Sequence, residues 1–313
     1  MKKKYHSRIG LALGAGGARG LVHIGVLQSF SKLDIPVNLI SGTSIGAVIG
    51  AMYAATLDTD WVANHFREFI QSDLYKSIGL DRISPSVHPE HSIFQVASKY
   101  VKEYITYTVA NERMGLLKSE RLHNIMEYLI PVKTFEELKI PFKCLAVDLN
   151  TGKDLVFSNG DLITAVTASS AIPGYLTPVK IGNNLLSDGG ISQPIPLKLM
   201  SSMGADFIIA VDVGIHKFSP LEPTNLMKLI GRADMIASSR LIDHMTSSAD
   251  ILIRPDTENL FWSEFNRIDS LIKNGYDSAC NHIDEIKSKL QIKITLGGRL
   301  SRFFKIGRNI KEF

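Results

Sequence analysis

Residues 35–57 read IPVNLISGTSIGAVIGAMYAATL. The stretch carries no charge, and Gly42, Gly46 and Gly50 repeat the small-xxx-small spacing of packed transmembrane helices, so length alone would allow a span. Pro36, Asn38, Ser41, Thr43 and Ser44 crowd its first half, however. Val37–Ser41 therefore reads as a buried strand that turns into a buried helix. A serine between two glycines at such a turn matches a nucleophile elbow: Gly42 and Gly46 tolerate the strained, closely packed bend while the Ser44 hydroxyl projects outward. The next backbone N–H, that of Ile45, sits at a helix N-terminus where it can help hold an oxyanion. Small residues also favour any tight strand-to-helix turn. What raises the motif above that reading is the strand expected before it and the helix expected after it.

On either side the pattern alternates. Ile9–Leu13 reads as a strand, Gly14–Gly20 as a loop and Leu21–Leu33 as a helix with Val22, Val26, Leu27, Phe30 and Leu33 on one face. Further strands are expected at Phe142–Leu149 and Asp154–Phe157 around the turn Asn150-Thr151-Gly152, and at Val179–Ile181 and Leu185–Ser187 around Gly182-Asn183-Asn184. Phe207–Asp212 and Ile251–Arg254 complete the sheet. Helices are expected at Asp161–Ser170, Leu197–Met203, Thr224–Met245 and Ile268–Leu290. The alternation predicts an α/β fold with a mostly parallel central sheet covered on both faces.

Composition agrees. The 313 residues are 45% hydrophobic and 21% charged, which excludes disordered and low-complexity chains because these bury too little apolar surface to offset ordering entropy. Cys144 and Cys280 lie too far apart in sequence for a CxxC metal site and are too few for a disulfide framework; a reducing, cytoplasmic setting is the expectation. Lys2–Arg8 ahead of IGLALGAGGA has the outline of a signal peptide, but the apolar run is short, Gly-rich and closed by Arg19 rather than by a cleavage site. The net charge of +4 is uneven: residues 1–8 carry +4 and 291–313 carry +5, leaving −5 on the body. That distribution argues against a nucleic-acid groove across the core and leaves two basic ends able to meet an anionic surface.

Two more motifs carry chemistry. Gly14-Ala15-Gly16-Gly17-Ala18-Arg19-Gly20 follows a strand and opens a helix, where backbone N–H groups can approach an anion, either an oxyanion or a phosphate. A dinucleotide site would use Gly14, Gly16 and Gly20 and would place an acid at the end of the next strand, which ends instead at Ser41-Gly42. Ser187-Asp188-Gly189-Gly190 places an acid at a strand end before two glycines. Its carboxylate is positioned either to take the Ser44 proton or merely to cap a turn. An ordinary Ser-Asp-His hydrolase would have several strands before the elbow and a late histidine; here one strand precedes Ser44.

GAGGARG with LVHIGVL, GTSIGA, PFKCLAVDLNTGKDLVFSNGDL, TASSAIPG, SDGG with PIP, and ADILIRPD together resemble the patatin-like phospholipases, particularly the bacterial branch related to the catalytic domain of neuropathy target esterase. The resemblance runs from about Arg8 to Leu290. It implies a patatin-like three-layer α/β/α sandwich and a lipid acyl hydrolase that needs no metal or cofactor. In that reading Ser44 is the nucleophile, Asp188 the base, and Gly16, Gly17 and Ile45 supply the oxyanion N–H groups. Gly14, Ala15, Ala18, Arg19, Gly20, Gly42, Gly46, Gly189 and Gly190 complete the supporting motifs. Ala15 departs from the family, which usually has glycine there; a methyl strains the loop only if φ is positive. Arg19 either supports the loop or meets a lipid headgroup, and His23 packs on the loop helix.

The expected organisation is a basic extension at 1–8, a catalytic domain at 9–290 and a basic tail at 291–313. Within the domain, 72–120 breaks the rhythm and forms either a lid or an ordinary amphipathic surface helix. In the tail, Leu300, Phe303, Phe304, Ile310 and Phe313 can form one helical face bordered by Arg302, Lys305, Arg308 and Lys311. Such a helix meets the inner face of the membrane peripherally, or docks on its own domain or a second copy. The partners implied are a phospholipid or lysophospholipid substrate and no nucleic acid, with the oligomeric state open. The alternatives are a patatin-fold lipid-binding protein with weak catalysis, for which Ala15 speaks, and, remotely, a nucleotide-binding oxidoreductase.

Overall fold

The computed structural model describes residues 7–78, 115–220 and 226–291. Strand β1 (Ile9–Leu13) leads through a 3-10 turn at Gly17–Leu21 into helix α1 (Val22–Lys32), so the expected loop is helical over its second half. Strand β2 (Leu39–Gly42) then turns into α2 (Ile45–Thr56). After β3 (Gly115–Leu117) come β4 (Phe142–Asp148), β5 (Lys153–Phe157), β6 (Gly174–Leu176), β7 (Val179–Ile181), β8 (Asn184–Asp188), β9 (Phe207–Val211) and β10 (Ile251–Ile253). The main sheet runs β10-β9-β1-β2-β4-β8-β7, with β5 against β4 as well. Pairs from β10 to β4 are parallel; those joining β4 to β5, β4 to β8 and β7 to β8 are antiparallel. The sheet is therefore mixed, parallel from β10 to β4 as the alternation predicts and antiparallel beyond β4, where the expected hairpins lie. Short turns at Gly152 (φ 69°) and Gly182 (φ 59°) can join only antiparallel neighbours.

Both faces of the sheet are covered. Ile9, Leu11 and Leu13 of β1 pack with α1, α2 and the helix Ile268–Asn281 on one side, while Ala12 packs with Leu197, Met200 and Ile242 on the other. In β9, Phe207, Ile209 and Val211 divide in the same way from Ile208 and Ala210. All five residues of each strand are buried, which is why both read as unbroken apolar runs. The result is a three-layer α/β/α sandwich.

Several elements differ from the expectation. The helix begun at Ile268 stops at Asn281, His282 breaks it, and helix resumes over 283–291. Two helices that the sequence pattern did not single out are present: Thr59–Gln71, whose cap Asp58 accepts from the Asp60 and Trp61 N–H groups, and Ser119–Leu129. Of the expected lid at 72–120, residues 79–114 lie outside the described residues; the rest comprises the short helix Asp73–Ile78, β3 and the start of Ser119–Leu129. Residues 1–6 and 292–313 of the two basic ends lie outside the described residues as well. Among the described residues no helix is long and apolar enough to cross a membrane, and residues 39–57 are the strand and helix of the elbow.

Candidate active site

Ser44 sits between β2 and α2 with φ 56° and ψ −126°, a region that non-glycine residues seldom occupy. The surroundings hold it there. Its N–H donates to Ser169 Oγ at 3.2 Å, the Thr43 N–H donates to Leu13 O at 3.1 Å, and the Thr43 hydroxyl donates to Gln193 O at 3.0 Å. The flanking glycines are required by close packing: a Cβ on Gly42 would lie 2.4 Å from the Gly46 carbonyl oxygen, and one on Gly46 would lie 2.2 Å from that of Leu13. Ser44 is only 4% exposed.

Asp188, the last residue of β8, is brought to Ser44 by β4. One edge of β4 changes neighbours along its length: Cys144 pairs with Gly42 of β2, and two residues later Ala146 pairs with Asp188 of β8. The Ser44 hydroxyl and the Asp188 carboxyl interact, and the Gly190 N–H donates to Asp188 Oδ1 at 2.7 Å. Burial pushes the Asp188 carboxyl up to about 6; the Ser44 and Gly190 bonds pull the other way, and the charge of Asp234 adds to the rise. Gly189 lets the chain pass β4, since a Cβ there would lie 2.5 Å from Leu145 O.

The Gly14–Gly20 segment lies beside them at the carboxyl end of β1. The N–H groups of Gly14, Ala15 and Ala18 donate to Val211 O, Pro194 O and Trp262 O at 3.1, 2.7 and 2.7 Å. Among the described residues, the N–H groups of Gly16, Gly17 and Ile45 have no such acceptor. Gly17 has φ 58° and packs so closely on Trp262 that a Cβ would lie 2.3 Å from its carbonyl oxygen. Gly20 likewise makes room for Ile45. Ala15 is not among the positive-φ residues and its methyl faces Gly190, so the alanine introduces no backbone strain. Arg19 donates to Val213 O and Leu260 O, each at 3.0 Å, and so ties the loop to two neighbouring segments; of the two roles open to it, the geometry is that of loop support.

A family model described as patatin-like phospholipase matches residues 11–200, a span that holds the loop, the elbow and Asp188. The chain belongs to the patatin-like phospholipase family. Its relatives include an uncharacterised NTE family protein of Mycobacterium tuberculosis, 31% identical over 251 residues that make up 79% of this chain and 61% of that protein. A lysophospholipase NTE1 of Kluyveromyces lactis is 24% identical over 94% of this chain and 20% of its own length. The chain thus spans about three fifths and one fifth of these relatives. Among solved structures, VipD from Legionella pneumophila aligns with a TM-score of 0.48 at 14% identity, covering 91% of this chain and 68% of that one.

The patatin-like core also holds a partly open cavity of ≈ 90 Å³ that reaches Ser44, Ile45 and Gly17. Its walls are mainly apolar, with Val48 from α2, Leu122, Ile125 and Met126 from the helix Ser119–Leu129, and Leu176 and Phe265 opposite. Gly16 lies outside this lining, against Val213. Sequence reasoning missed the helix Ser119–Leu129 as a wall because its mixed polarity reads as a surface helix. Nothing local in TASSAIPG says that the Ser169 hydroxyl meets a backbone 125 residues away. In this patatin-like chain His23 is fully buried, its Nε2–H donates to Gly14 O at 2.9 Å, and burial pulls its pKa down to about 4. Neutral at ordinary pH, it braces the loop. Among the described residues no group of three or more His, Cys, Asp or Glu side chains is placed to hold a metal ion.

Proposed function

We propose that this chain hydrolyses carboxylic esters of phospholipids or lysophospholipids through a Ser44–Asp188 dyad and an acyl-enzyme. The observation that carries the reading is the arrangement around Ser44: a strained serine beside a buried carboxyl, N–H groups on Ile45, Gly16 and Gly17 that have no backbone acceptor among the described residues, and an apolar cavity alongside. Asp188 accepts the proton as Ser44 Oγ attacks the ester carbonyl carbon. The N–H groups of Gly16, Gly17 and Ile45 take up the charge that develops on the carbonyl oxygen. Collapse of the tetrahedral adduct breaks the bond to the alcohol oxygen, which leaves with the proton from Asp188, and the acyl group stays on Ser44. Asp188 then takes a proton from water as the water attacks the acyl-enzyme, and the fatty acid is released with Ser44 regenerated. The apolar walls of the cavity suit an acyl chain. The names of the relatives, a lysophospholipase among them, support a lipid ester as the substrate class.

The test is fluorophosphonate labelling of the purified protein beside Ser44→Ala, with intact mass to count the adduct. Labelling of the wild type that vanishes in the variant is the expected result. A folded wild-type protein that takes no label with or without liposomes overturns the proposal.

A further inference from the structure

The short segment after β8, Gly189–Pro194, joins the separate parts of the site. The Gly190 N–H donates to Asp188 Oδ1 at 2.7 Å, Gln193 O accepts from the Thr43 hydroxyl at 3.0 Å, and Pro194 O accepts from the Ala15 N–H at 2.7 Å. Gly190 also lies against Ala15, since a Cβ on it would be 3.2 Å from the alanine methyl carbon. The carboxyl, the elbow and the Gly14–Gly20 loop thus share one stretch of backbone. A shift of that stretch moves all of them at once.

Within the segment, the Ser192 and Gln193 N–H groups donate to Gly189 O at 3.2 and 2.9 Å. Among the described residues, its side-chain hydrogen bonds to other elements both go to Asp154 of β5. Ser192 Oγ donates to Asp154 Oδ1 at 2.5 Å and Gln193 Nε2 donates to Asp154 Oδ2 at 2.6 Å, so each oxygen of one carboxylate is engaged. Bonds to a carboxylate are stronger than those between neutral groups. Strand β5 lies on the edge of β4 opposite β2 and β8: Cys144 sits between Gly42 and Phe157, and Ala146 between Asp188 and Leu155. The segment passes β4 at Gly189 and is gripped from the strand beyond it. Gln193 is 6% exposed, so without Asp154 its amide donors would be left buried and unpaired.

We infer that Asp154 is a positioning residue: by binding Ser192 and Gln193 it sets the placement of Gly189–Pro194, and through that segment the mutual placement of Asp188, Ser44 and the Gly14–Gly20 loop. Asp154 lies outside the cavity lining, so it acts through these contacts rather than on a substrate. The inference rests on the ester hydrolysis proposed above and adds a residue on which its turnover depends. Attack and proton transfer need near-contact geometry, and a misplacement of about 1 Å can cost about a hundredfold in rate.

The experiment measures turnover of 4-nitrophenyl butyrate, a soluble ester, in folded variants. Asp154→Ala should lower kcat about tenfold or more with KM within about twofold of wild type. Asp154→Asn, whose amide can accept from Gln193 and donate to Ser192, should recover most of that loss without the charge. Gln193→Met should lower kcat by itself and add nothing to Asp154→Ala. An unchanged kcat in Asp154→Ala, an Asp154→Asn that is equally slow, or losses that multiply in the double variant overturns the inference. Ser192→Ala combined with Gln193→Met removes the same two bonds from the other side and replaces Asp154→Ala if that variant does not fold. Hydrogen exchange read by mass spectrometry decides the inference without reference to activity, so a wild type that hydrolyses no ester counts against the Ser44–Asp188 reading alone. In Asp154→Ala the peptides holding Ala15 and Thr43 should exchange faster along with 189–194, and in Asp154→Asn they should not. Faster exchange confined to 189–194 means a local staple and overturns the inference.

Discussion

Ser44 and Asp188 are 144 positions apart and are brought side by side because β4 holds the strands of both on one edge, Gly42 opposite Cys144 and Asp188 opposite Ala146. The two side chains therefore approach at a seam where the sheet changes from parallel to antiparallel. Neither strand alone would bring them together, and the seam fixes their spacing through backbone hydrogen bonds rather than through flexible loops.

The first consequence is a pH profile. A carboxyl raised to about 6 must lose its proton before it can accept one from Ser44. Ester hydrolysis measured as kcat/KM should halve near pH 6 on the acid side and fall about tenfold for each further pH unit. A profile that stays flat down to about pH 4.5 would mean that Asp188 is not the base, because a carboxyl at its ordinary value near 3.9 would then be enough.

The second concerns stability. A carboxyl whose folded pKa lies above its unfolded value contributes stability that is fully present below about pH 4 and is lost as the pH rises through about 6. At pH 7.5 the buried charge of Asp188 therefore destabilises the fold, by about 1–3 kcal/mol. Asp188→Asn keeps an acceptor for the Gly190 N–H and removes the charge. Thermal unfolding should shift up by a few degrees while hydrolysis falls by about 10²–10⁴. A variant that is both inactive and less stable would contradict the assignment of a strained, ionised base.

At the elbow, Gly46→Ala drives a methyl into the Leu13 carbonyl oxygen, 2.2 Å away. That oxygen is held in place by the Thr43 N–H, so the backbone cannot easily give. Urea unfolding should show a loss of about 3 kcal/mol or more, at the upper end of overpacking effects. A variant within about 0.5 kcal/mol of wild type would show that the elbow relaxes.

The fully buried His23 gives the opposite pH trend to Asp188. Its folded pKa, about 4, lies below the unfolded value of about 6.5, so the neutral ring stabilises the fold above that value and the contribution is lost as the pH falls from about 6.5 to 4. The loss approaches about 3 kcal/mol. It is best measured in Asp188→Asn, where the rising contribution of the carboxyl is absent. Adding His23→Gln to that background should flatten the acid limb of the unfolding curve.

What the chain alone determined is local. A strand, a bend that only small residues tolerate and a buried helix are written into residues 37–56, because the missing Cβ atoms of Gly42 and Gly46 and the apolar run around them constrain the backbone within a few residues. The hairpin turns at Gly152 and Gly182 and the buried strands β1 and β9 are legible for the same reason. Asp188 could be singled out beside its two glycines, but its role as base or turn cap stayed open. The tertiary structure decided what depends on distant segments. It made the sheet mixed beyond β4, turned Ser169 toward the Ser44 N–H and anchored Arg19 on the carbonyls of Val213 and Leu260. Burial is a property of the assembled core, so it also set the protonation of Asp188 and His23, which no local pattern encodes.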